Sequence, residues 1–357
     1  MTFRRFLLDS LLRTIAFPRH FIFHSVEKTG EEHFLFEYPS IIAANHISPA
    51  DVAAMPYLNR FTVSKEGYTI PAREDFLLPG FLVKEFRPRG VKKFFLKGID
   101  SSGIIPFLLK YVNTIPVKRP FRDNARELIK SGKMRDEVNQ NWEILAEKIK
   151  EKNNLFLFPE GTYSRDGYIS QIRQGISIIR TKVPNLKINT VTLTYDFLSF
   201  KKPSLNVHIG KLEEFPDEKT IKTSDFIRDR LGKGFAVTSG NIFSFILYSD
   251  ELKTGMAESE LFRKTSVFIK KLISENFIVS STAKKLSESL FSQLTEKALA
   301  GGFLKKEEGL LKSCDSLYAE PEGKNKDFRK ENTFLYHRNQ LRFFQTKLES
   351  VWNSRKF

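Results

Sequence analysis

The sequence predicts an α/β protein with a central mixed sheet flanked by helices, followed by a helical C-terminal extension. Three observations predict this class. Short apolar runs alternate with segments of helical periodicity between about residues 32 and 210. Hydrophobic residues make up 41% of the 357 residues, which is enough to bury a core and excludes a wholly disordered chain. After about residue 215 the strand pattern fades and longer helical segments follow.

The predicted strands are short apolar runs bounded by turn residues. They cover residues 34–38, 41–44, 114–118, 155–158, 189–194 and 205–209. Residues 48–57 and 134–152 predict helices between these strands, the second because its apolar side chains recur at helical spacing. Residues 256–300 predict one or two further helices, which stop at Ala300-Gly301-Gly302.

We expect three segments along the chain. Residues 1–30 form an amphipathic N-terminal segment for membrane association, residues 31–215 the α/β domain, and residues 216–357 a mainly helical extension whose role the sequence does not indicate. In the first segment, most apolar side chains fall on one side of a helix, with arginines on the other. Such a helix can lie in a membrane interface or pack on the protein's own core.

Charge and cysteine content limit the partners and the compartment. The chain has 58 Lys and Arg against 42 Asp and Glu, a net charge of +16, which favours anionic partners: phospholipid headgroups, nucleic acid or phosphorylated small molecules. Its single cysteine, Cys314, excludes an internal disulfide framework and predicts a reducing compartment, the cytoplasm or a cytoplasm-facing surface.

No run reaches the roughly 18 apolar residues of a spanning helix. Asp9 and Arg13 interrupt the N-terminal apolar pattern, which argues against a cleaved signal peptide.

The first group of candidate functional residues lies at a predicted strand-to-helix junction. His46 follows the strand at 41–44, and Asp51 follows five residues later. Ser48, Pro49 and Asp51 also make a good helix start, with Asp51 closing a capping box, so the aspartate has a structural reason to be there. It can in addition fix the tautomer of His46 and support the imidazolium formed when His46 takes up a proton.

The second group is a polar loop that follows the strand at 155–158. It reads Phe-Pro-Glu-Gly-Thr-Tyr-Ser-Arg over residues 158–165. Ligand sites in open α/β sheets form at the carboxyl ends of strands, where this loop is expected. Taken one residue at a time, the same segment is also compatible with a solvated turn.

Together, Asn-His-x-x-x-x-Asp and the downstream Phe-Pro-Glu-Gly-Thr-x-Ser-Arg resemble the glycerolipid acyltransferase family, typified by 1-acyl-sn-glycerol-3-phosphate acyltransferase. The resemblance covers roughly residues 30–210. Between the two motifs, residues 114–120 lie where the family has a strand ending in Arg, here Arg119, and residues 191–195 resemble its later apolar strand. The implied fold is that of a glycerolipid acyltransferase, with residues 31–215 as the acyltransferase domain.

The resemblance also implies an activity in phospholipid biosynthesis. An acyl chain passes from acyl-CoA or acyl-carrier protein to the hydroxyl of a lysophospholipid, first of all 1-acyl-sn-glycerol-3-phosphate (lysophosphatidic acid). His46 is then the general base and Asp51 its orienting partner. Arg119 and Arg165 are expected to bind the acceptor phosphate, since a guanidinium binds phosphate oxygens bidentately. Glu160, Gly161 and Thr162 complete the expected substrate site.

The same reading predicts partners and cofactors. We expect peripheral association with membrane phospholipids on the cytoplasmic face, with the acyl carrier as co-substrate. No metal or redox cofactor is expected, because the chain has no His-Glu-x-x-His, Cys-x-x-Cys, Walker loop or Gly-x-Gly-x-x-Gly. Nucleic acid is not an expected partner either, since no zinc-finger spacing or RNA-recognition signature accompanies the positive charge.

The chain departs from the family pattern at two positions. Lys118 stands before Arg119 where the family commonly has an acidic residue, and Tyr163 follows Thr162 where it commonly has Arg. The acceptor therefore stays open between lysophosphatidic acid, glycerol 3-phosphate and another lysolipid. A non-catalytic lipid-binding protein on the same fold is the remaining alternative.

Overall fold

The structure is a computed structural model of the chain. It describes residues 23–33, 39–48, 51, 68–73, 78, 80–86, 89–103, 106–107, 114–117, 133–151, 154–322 and 327–354. Several predictions concern residues outside these ranges: most of the amphipathic N-terminal segment, the strand at 34–38, most of the helix at 48–57, and Arg119.

A seven-stranded mixed sheet forms the centre of the protein, as the sequence predicts. Its strands lie in the order β1-β7-β6-β2-β5-β3-β4. All neighbouring strands are parallel except β6 and β7, which are antiparallel. The strands are β1 Val26–Thr29, β2 Ser40–Ala44, β3 Tyr68–Arg73, β4 Thr114–Val117, β5 Asn154–Leu157, β6 Lys187–Asp196 and β7 Ser204–Glu214.

Apolar composition explains why the middle strands form where they do. Every residue of β2 and β5 is buried, as is nearly all of β6, so these strands are covered on both faces. Because β2, β5 and β6 are mutually aligned in the parallel sense, their carboxyl ends meet at one edge of the sheet. The two sequence motifs follow β2 and β5 and therefore lie at this same edge.

Helices cover the sheet and continue into the C-terminal part. They are α1 Phe81–Phe86, α2 Val91–Ser101, α3 Lys133–Lys150, α4 Gly175–Lys182, α5 Thr223–Lys233, α6 Ser239–Leu247, α7 Asp250–Thr254, α8 Glu258–Ser274, α9 Ser281–Lys284, α10 Glu288–Ala300, α11 Phe328–Glu331, α12 Thr333–Gln340 and α13 Gln345–Asn353. Helices α3 and α4 approach closely at Gly175, where a Cβ atom would lie 2.1 Å from the Trp142 ring. In the described part of the chain, no helix has the length and apolar composition to cross a bilayer.

The C-terminal part has a second hydrophobic core of its own. Residues 256–300, for which the sequence predicts one or two helices, form three: α8, α9 and α10, the last of which ends at Ala300 as predicted. A small antiparallel sheet that the sequence did not indicate accompanies them, with strands β8 Met256–Ala257, β9 Leu304–Glu307 and β10 Leu310–Ser313. The predicted segment boundaries at residues 30 and 215 stay a prediction.

Helix α12 joins the two cores. Leu335 and Tyr336 pack in the core of the main sheet, together with Phe328 of α11. Phe334, also on α12, packs in the C-terminal core instead. Helices α11 and α12 therefore return the chain to the sheet that residues 26–214 build.

Candidate active site

A buried asparagine fixes the exit of strand β2. The side chain of Asn45 donates from Nδ2 to the Leu193 carbonyl at 3.0 Å, and its Oδ1 accepts from the Leu193 N–H at 2.6 Å. These bonds continue the pairing of β2 with β6 through a side chain after the strand itself has ended. The following residue, His46, is thereby held at the edge of the sheet.

The structure brings His46 and Asp51 into direct contact. Nδ1 of His46 lies 2.8 Å from Oδ2 of Asp51, with the imidazole 19% exposed and the aspartate fully buried. An ionised carboxylate only accepts hydrogen bonds, so this contact assigns the proton to Nδ1 and leaves a lone pair on Nε2. Among the described residues, none forms a hydrogen bond with Nε2. The imidazole is partly exposed, so this lone pair is suited to accept a proton.

Asp51 is held in place by three further donors. Its Oδ2 accepts from the backbone N–H groups of Ile47, at 2.6 Å, and Ser48, at 2.9 Å. Its Oδ1 accepts from the Tyr195 hydroxyl at 2.6 Å. The bond from Ser48 is the contact that a capping box predicts for this aspartate, so its structural and orienting roles coexist. With four donors, the carboxylate has one orientation, and so has the imidazole attached to it.

Aromatic side chains from the second motif enclose the imidazole. The ring of Phe158 stacks on His46, with 4.3 Å between centroids and 20° between planes. Tyr163 meets His46 edge-on at 5.9 Å. Both residues belong to the loop after β5, so the second motif packs directly against the imidazole that the first motif presents.

Glu160 links the two motifs through the backbone. It is buried, and its Oε1 accepts from the His46 N–H at 2.8 Å while its Oε2 accepts from the Ser170 N–H at 2.6 Å. Burial raises the pKa of Glu160 to about 7, against the effect of these two N–H donors, which lower it. In this structure the carboxylate organises the loops, and its predicted contact with substrate stays a prediction.

The rest of the loop after β5 folds back over His46. The Gly161 N–H donates to the Phe158 carbonyl at 3.0 Å, closing a turn in which Gly161 has φ +69°, a conformation that favours glycine. The Ser164 N–H donates to the His46 carbonyl at 2.7 Å. Thr162 and Arg165 are exposed along this turn. The predicted residues Gly161, Thr162 and Arg165 are therefore all within the loop that is attached to His46.

Positive charge gathers around Tyr163. The Arg165 guanidinium lies 5.4 Å from the centre of the Tyr163 ring, and that of Arg329 lies 5.6 Å from it. Arg173, exposed on the following stretch, lies next to Gly161: a Cβ atom at Gly161 would be 3.7 Å from its Cγ. Arg165 and Arg329 therefore lie beside the same tyrosine ring that meets the His46 imidazole.

Arg329 is a site residue that sequence reasoning missed. It lies on α11 in the C-terminal part, and it donates from a terminal nitrogen to the Ile47 carbonyl at 2.9 Å. Its Nε also bonds Asp327 at 3.0 Å. Burial lowers the pKa of the guanidinium, but Asp327 raises it more, so Arg329 is charged. Because 282 residues separate Arg329 from Ile47 and no motif surrounds it, nothing in the sequence indicated the contact.

Tyr195 is the second residue whose role was missed. The sequence placed it at the end of an apolar strand, and the structure shows its hydroxyl bonded to Asp51. Burial raises the pKa of Tyr195 well above its usual value, and the Asp51 charge raises it further, so the phenol stays a donor. A tyrosine that ends a strand on the sheet edge carrying a motif is the signal that could have suggested it.

The arrangement is suited to proton transfer. It offers an oriented imidazole with an open nitrogen, a buried carboxylate behind it and guanidinium groups beside it. Among the described residues, no group of three or more His, Cys, Asp and Glu is placed to hold a metal ion.

Comparisons with known proteins give a distant structural likeness. No protein-family model and no curated protein matches the chain. The solved structures that match include the 1-acyl-sn-glycerophosphate (LPA) acyltransferase PlsC from Thermotoga maritima, which is 15% identical and covers 63% of this chain and 76% of its own length, with a TM-score of 0.39. At this TM-score the likeness has no weight for function. The fold class rests on the seven-stranded sheet of this chain and the helices that flank it.

Proposed function

We propose that the protein is an O-acyltransferase of phospholipid biosynthesis. It transfers an acyl chain from acyl-CoA or acyl-carrier protein to the hydroxyl of a lysophospholipid, with 1-acyl-sn-glycerol-3-phosphate as the first acceptor to test. The observation that supports this proposal is the His46–Asp51 pair, with 2.8 Å between Nδ1 and Oδ2 and an open Nε2. The two sequence motifs that resemble the glycerolipid acyltransferases meet at this pair.

The chemistry needs a base and no enzyme nucleophile. Nε2 of His46 accepts the proton of the acceptor hydroxyl while the hydroxyl oxygen attacks the thioester carbonyl carbon. The tetrahedral adduct then expels the thiolate as the C–S bond breaks, and the imidazolium returns its proton to that sulfur. Asp51 keeps the imidazole oriented and stabilises its positive charge, while remaining bonded to Ile47, Ser48 and Tyr195.

The acceptor phosphate is proposed to bind Arg165. Its guanidinium is exposed and lies over Tyr163, whose ring packs edge-on against His46. A phosphate held there would stand near the base, so the acceptor hydroxyl could approach Nε2. Arg119, which lies outside the described residues, is the second proposed phosphate ligand.

The remaining predicted residues are proposed to border the acceptor. Gly161 leaves the turn without a side chain, so backbone and substrate can approach each other there. Thr162 offers an exposed hydroxyl next to it. Glu160 acts on the acceptor indirectly in this proposal, by holding the His46 N–H and the Ser170 N–H in register. Association with the cytoplasmic face of a membrane, where the acceptor dissolves, is part of the same proposal.

Acyl transfer from acyl-CoA and acyl-carrier protein to a panel of lysophospholipids and glycerol 3-phosphate tests the proposal. His46→Ala is expected to lower kcat/KM by about 10²- to 10⁴-fold, because it removes the base. His208→Ala is the matched control: His208 lies on β7 and bonds the Thr29 side chain, so its loss should leave the rate unchanged. Equal activity in the His46→Ala variant would exclude His46 as base. No activity with any donor would favour the lipid-binding alternative.

A further inference from the structure

Helix α2 presents its apolar side to solvent. Val91, Phe94 and Phe95 are 73%, 79% and 66% exposed, and Ile99 is also exposed. At 100° per residue these four side chains occupy an arc of about 140°, with Asp100 on the opposite side. Asp100 is buried, so the C-terminal end of α2 faces the protein on the side opposite the apolar arc, whereas Lys93 and Lys97, nearer its start, are exposed. A helix that packs on its own core has the reverse arrangement.

A specific contact holds this orientation. Oδ2 of Asp100 accepts from the Val83 N–H, in the first turn of α1, at 2.9 Å. Helix α1 begins at Phe81, and the N–H groups of a first turn have no partner within their own helix. Asp100 therefore satisfies one of these groups and ties α2 to α1. Because this bond holds the Asp100 side of α2 against α1, the apolar arc on the other side of the helix points away from the contact.

Exposed apolar side chains are concentrated in this part of the molecule. In the described residues, six of the ten exposed large apolar side chains lie between positions 78 and 107, including Leu78 and Phe107 beyond the ends of the helix pair. Scattered exposed apolar side chains are normal on a soluble protein, whereas a concentrated set marks an interaction surface. We call α1, α2, Leu78 and Phe107 the apolar hairpin.

The charges on the apolar hairpin indicate the partner. Lys84, Arg89, Lys93 and Lys97 are exposed on it. Lysine and arginine beside phenylalanine are the composition of helices that lie in a membrane interface, where rings enter the acyl boundary and cations reach anionic headgroups. The net charge of the whole chain, +16, adds attraction to an anionic surface.

The apolar hairpin follows strand β3, which is parallel to β5. The chain thus leaves β3 at the sheet edge where β2 and β5 end and where the two motifs begin. The hairpin is therefore joined through β3 to the edge of the sheet that carries the two motifs, and a bilayer that binds the hairpin is connected to this edge by a short length of chain.

We propose that helix α2 is a bilayer-docking element: it binds anionic phospholipid surfaces by inserting Val91, Phe94 and Phe95, with Lys93 and Lys97 at the headgroups. The proposal rests on the proposed function only for its purpose, which is to bring the catalytic edge to a membrane-dissolved acceptor. Docking itself requires no acyl transfer.

Vesicle binding by the full chain tests the docking element. Wild type is mixed with vesicles of phosphatidylcholine plus phosphatidylglycerol, and the bound fraction is measured by sedimentation. Phe94→Ser with Phe95→Ser is expected to lower the partition coefficient about tenfold for each ring removed. Ile273→Ser, an exposed apolar residue on α8, is the matched control and should bind as wild type. A Phe94/Phe95 variant that binds as wild type overturns the proposal.

Charge reversal tests the headgroup contact separately. Lys93→Glu with Lys97→Glu should weaken binding to the anionic vesicles by at least about tenfold and change binding to pure phosphatidylcholine little. Lys284→Glu with Lys285→Glu makes the same charge change at exposed positions on and next to α9, and it should lower anionic-vesicle binding less. Equal losses in the two variants would show a general effect of net charge and overturn the assignment to α2.

A labelled chain measures insertion directly and separates the two proposals. With Cys314→Ser, a single cysteine at position 94 carries an environment-sensitive fluorophore, and a cysteine at position 273 serves as control. We expect a blue shift and quenching by lipid-borne quenchers at position 94 only. If the label stays in water, or if wild type is a dimer that the Phe94/Phe95 variant dissociates, the proposal fails.

Activity toward glycerol 3-phosphate, which is water-soluble, should be unchanged in the Phe94/Phe95 variant, so loss of docking and loss of catalysis are distinguishable.

Discussion

Asp51 and Asp196 are two buried aspartates that each accept four hydrogen bonds, and each has a histidine nearby. At Asp51 one donor is Nδ1 of His46, whose side chain is 19% exposed and whose Nε2 is open among the described residues. At Asp196 the donors are three backbone N–H groups and the Ser199 hydroxyl. The neighbouring His337 is fully buried, and its Nε2 accepts from the Phe197 N–H at 3.2 Å. The Asp51 carboxylate thus bonds a partly exposed imidazole directly, whereas Asp196 acts on the buried His337 ring only through its charge, and that ring bonds Phe197 and Asn241 instead.

The difference shows what makes a histidine available for catalysis. Burial lowers the pKa of His337 to about 4, despite the negative charge of Asp196, so this imidazole is neutral at pH 7 and serves as a hydrogen-bonding part of the joint between sheet and C-terminal core. Burial alone would raise the pKa of Asp196, but His337 and the donors around it lower it below its usual value. Two features therefore separate the roles: His46 bonds its carboxylate directly and has a ring nitrogen without a hydrogen-bond partner among the described residues, whereas His337 has neither.

Asparagine substitutions at the two aspartates give the largest expected contrast. Asp51→Asn places an amide where Nδ1–H of His46 needs an acceptor, so we expect kcat to fall by about 10³- to 10⁴-fold. Asp196→Asn should leave kcat within about twofold, yet lower the free energy of unfolding by about 1 to 3 kcal/mol, because a buried N–H then faces Gly240 without an acceptor. Initial rates and denaturant unfolding of both variants measure this. Equal rate losses would remove the distinction between the regions.

The two regions should respond to pH in opposite directions. Glu160 has a pKa of about 7 in the folded chain against 4.5 in an unfolded one, so the unfolded state loses its proton first and stability falls as pH rises from 4.5 through 7. His337, about 4 against 6.5, makes stability fall as pH drops from 6.5 toward 4. Each change is on the order of 3 kcal/mol.

Unfolding free energies across pH 4 to 8 check the opposite trends when wild type is compared with Glu160→Gln and His337→Gln. Glu160→Gln should remove the decline at high pH, and His337→Gln the decline at low pH. If the unfolding free energies of the two variants changed with pH in the same way, the pKa of Glu160 would not be raised, and that of His337 not lowered, as their burial requires.

Arg329→Leu tests how far the C-terminal part supports the site. The variant loses the bond to the Ile47 carbonyl, in the turn between His46 and Asp51, and we expect kcat to fall about tenfold. Arg338→Leu is the control, since Arg338 stacks on Tyr248 at 4.2 Å and has no contact with that turn. A raised KM with kcat unchanged would instead assign Arg329 to substrate binding rather than to positioning.

Two buried tyrosines provide the smallest and most closely matched contrast. Tyr195→Phe removes a donor to Asp51 and should cost about 1 kcal/mol of stability and a few-fold in kcat. Tyr336→Phe removes a buried hydroxyl that has no hydrogen-bond partner in the described part of the chain, so it should be neutral or stabilising. Thermal unfolding and initial rates compare the two; a destabilised Tyr336→Phe variant would show that its hydroxyl has a partner such as bound water.

The sequence predicted the interior of the sheet well and its less regular strands poorly. Apolar runs located β2, β5 and β6 because buried parallel strands are continuously apolar. Strand β1 was missed because Val-Glu-Lys-Thr has no apolar pattern, and β3 because it contains Pro71, which removes a donor from the ladder. These two strands form through pairing with partners that are distant in sequence.

The candidate site divides in the same way. His46 and Asp51 are five residues apart, so a local pattern revealed them, and the structure places them 2.8 Å apart. The bond from the His46 N–H to Glu160 spans 114 residues, and that from Arg329 to Ile47 spans 282. The spacing of residues within a motif cannot reveal such contacts, because they depend on the order of strands in the sheet and on α11 and α12 packing back against that sheet. Arg119 stays a prediction.

The bond from Arg329 to Ile47 has a consequence for protein synthesis. A ribosome completes the seven strands of the sheet when it has passed Glu214, and more than a hundred residues must still be made before Arg329 leaves the exit tunnel. Until then the turn between His46 and Asp51 lacks its bond to α11. A nascent chain can therefore fold its sheet early but completes the edge that carries His46 and Asp51 late, so chains stalled before α11 should be defective in the proposed acyl transfer even when their sheet is intact.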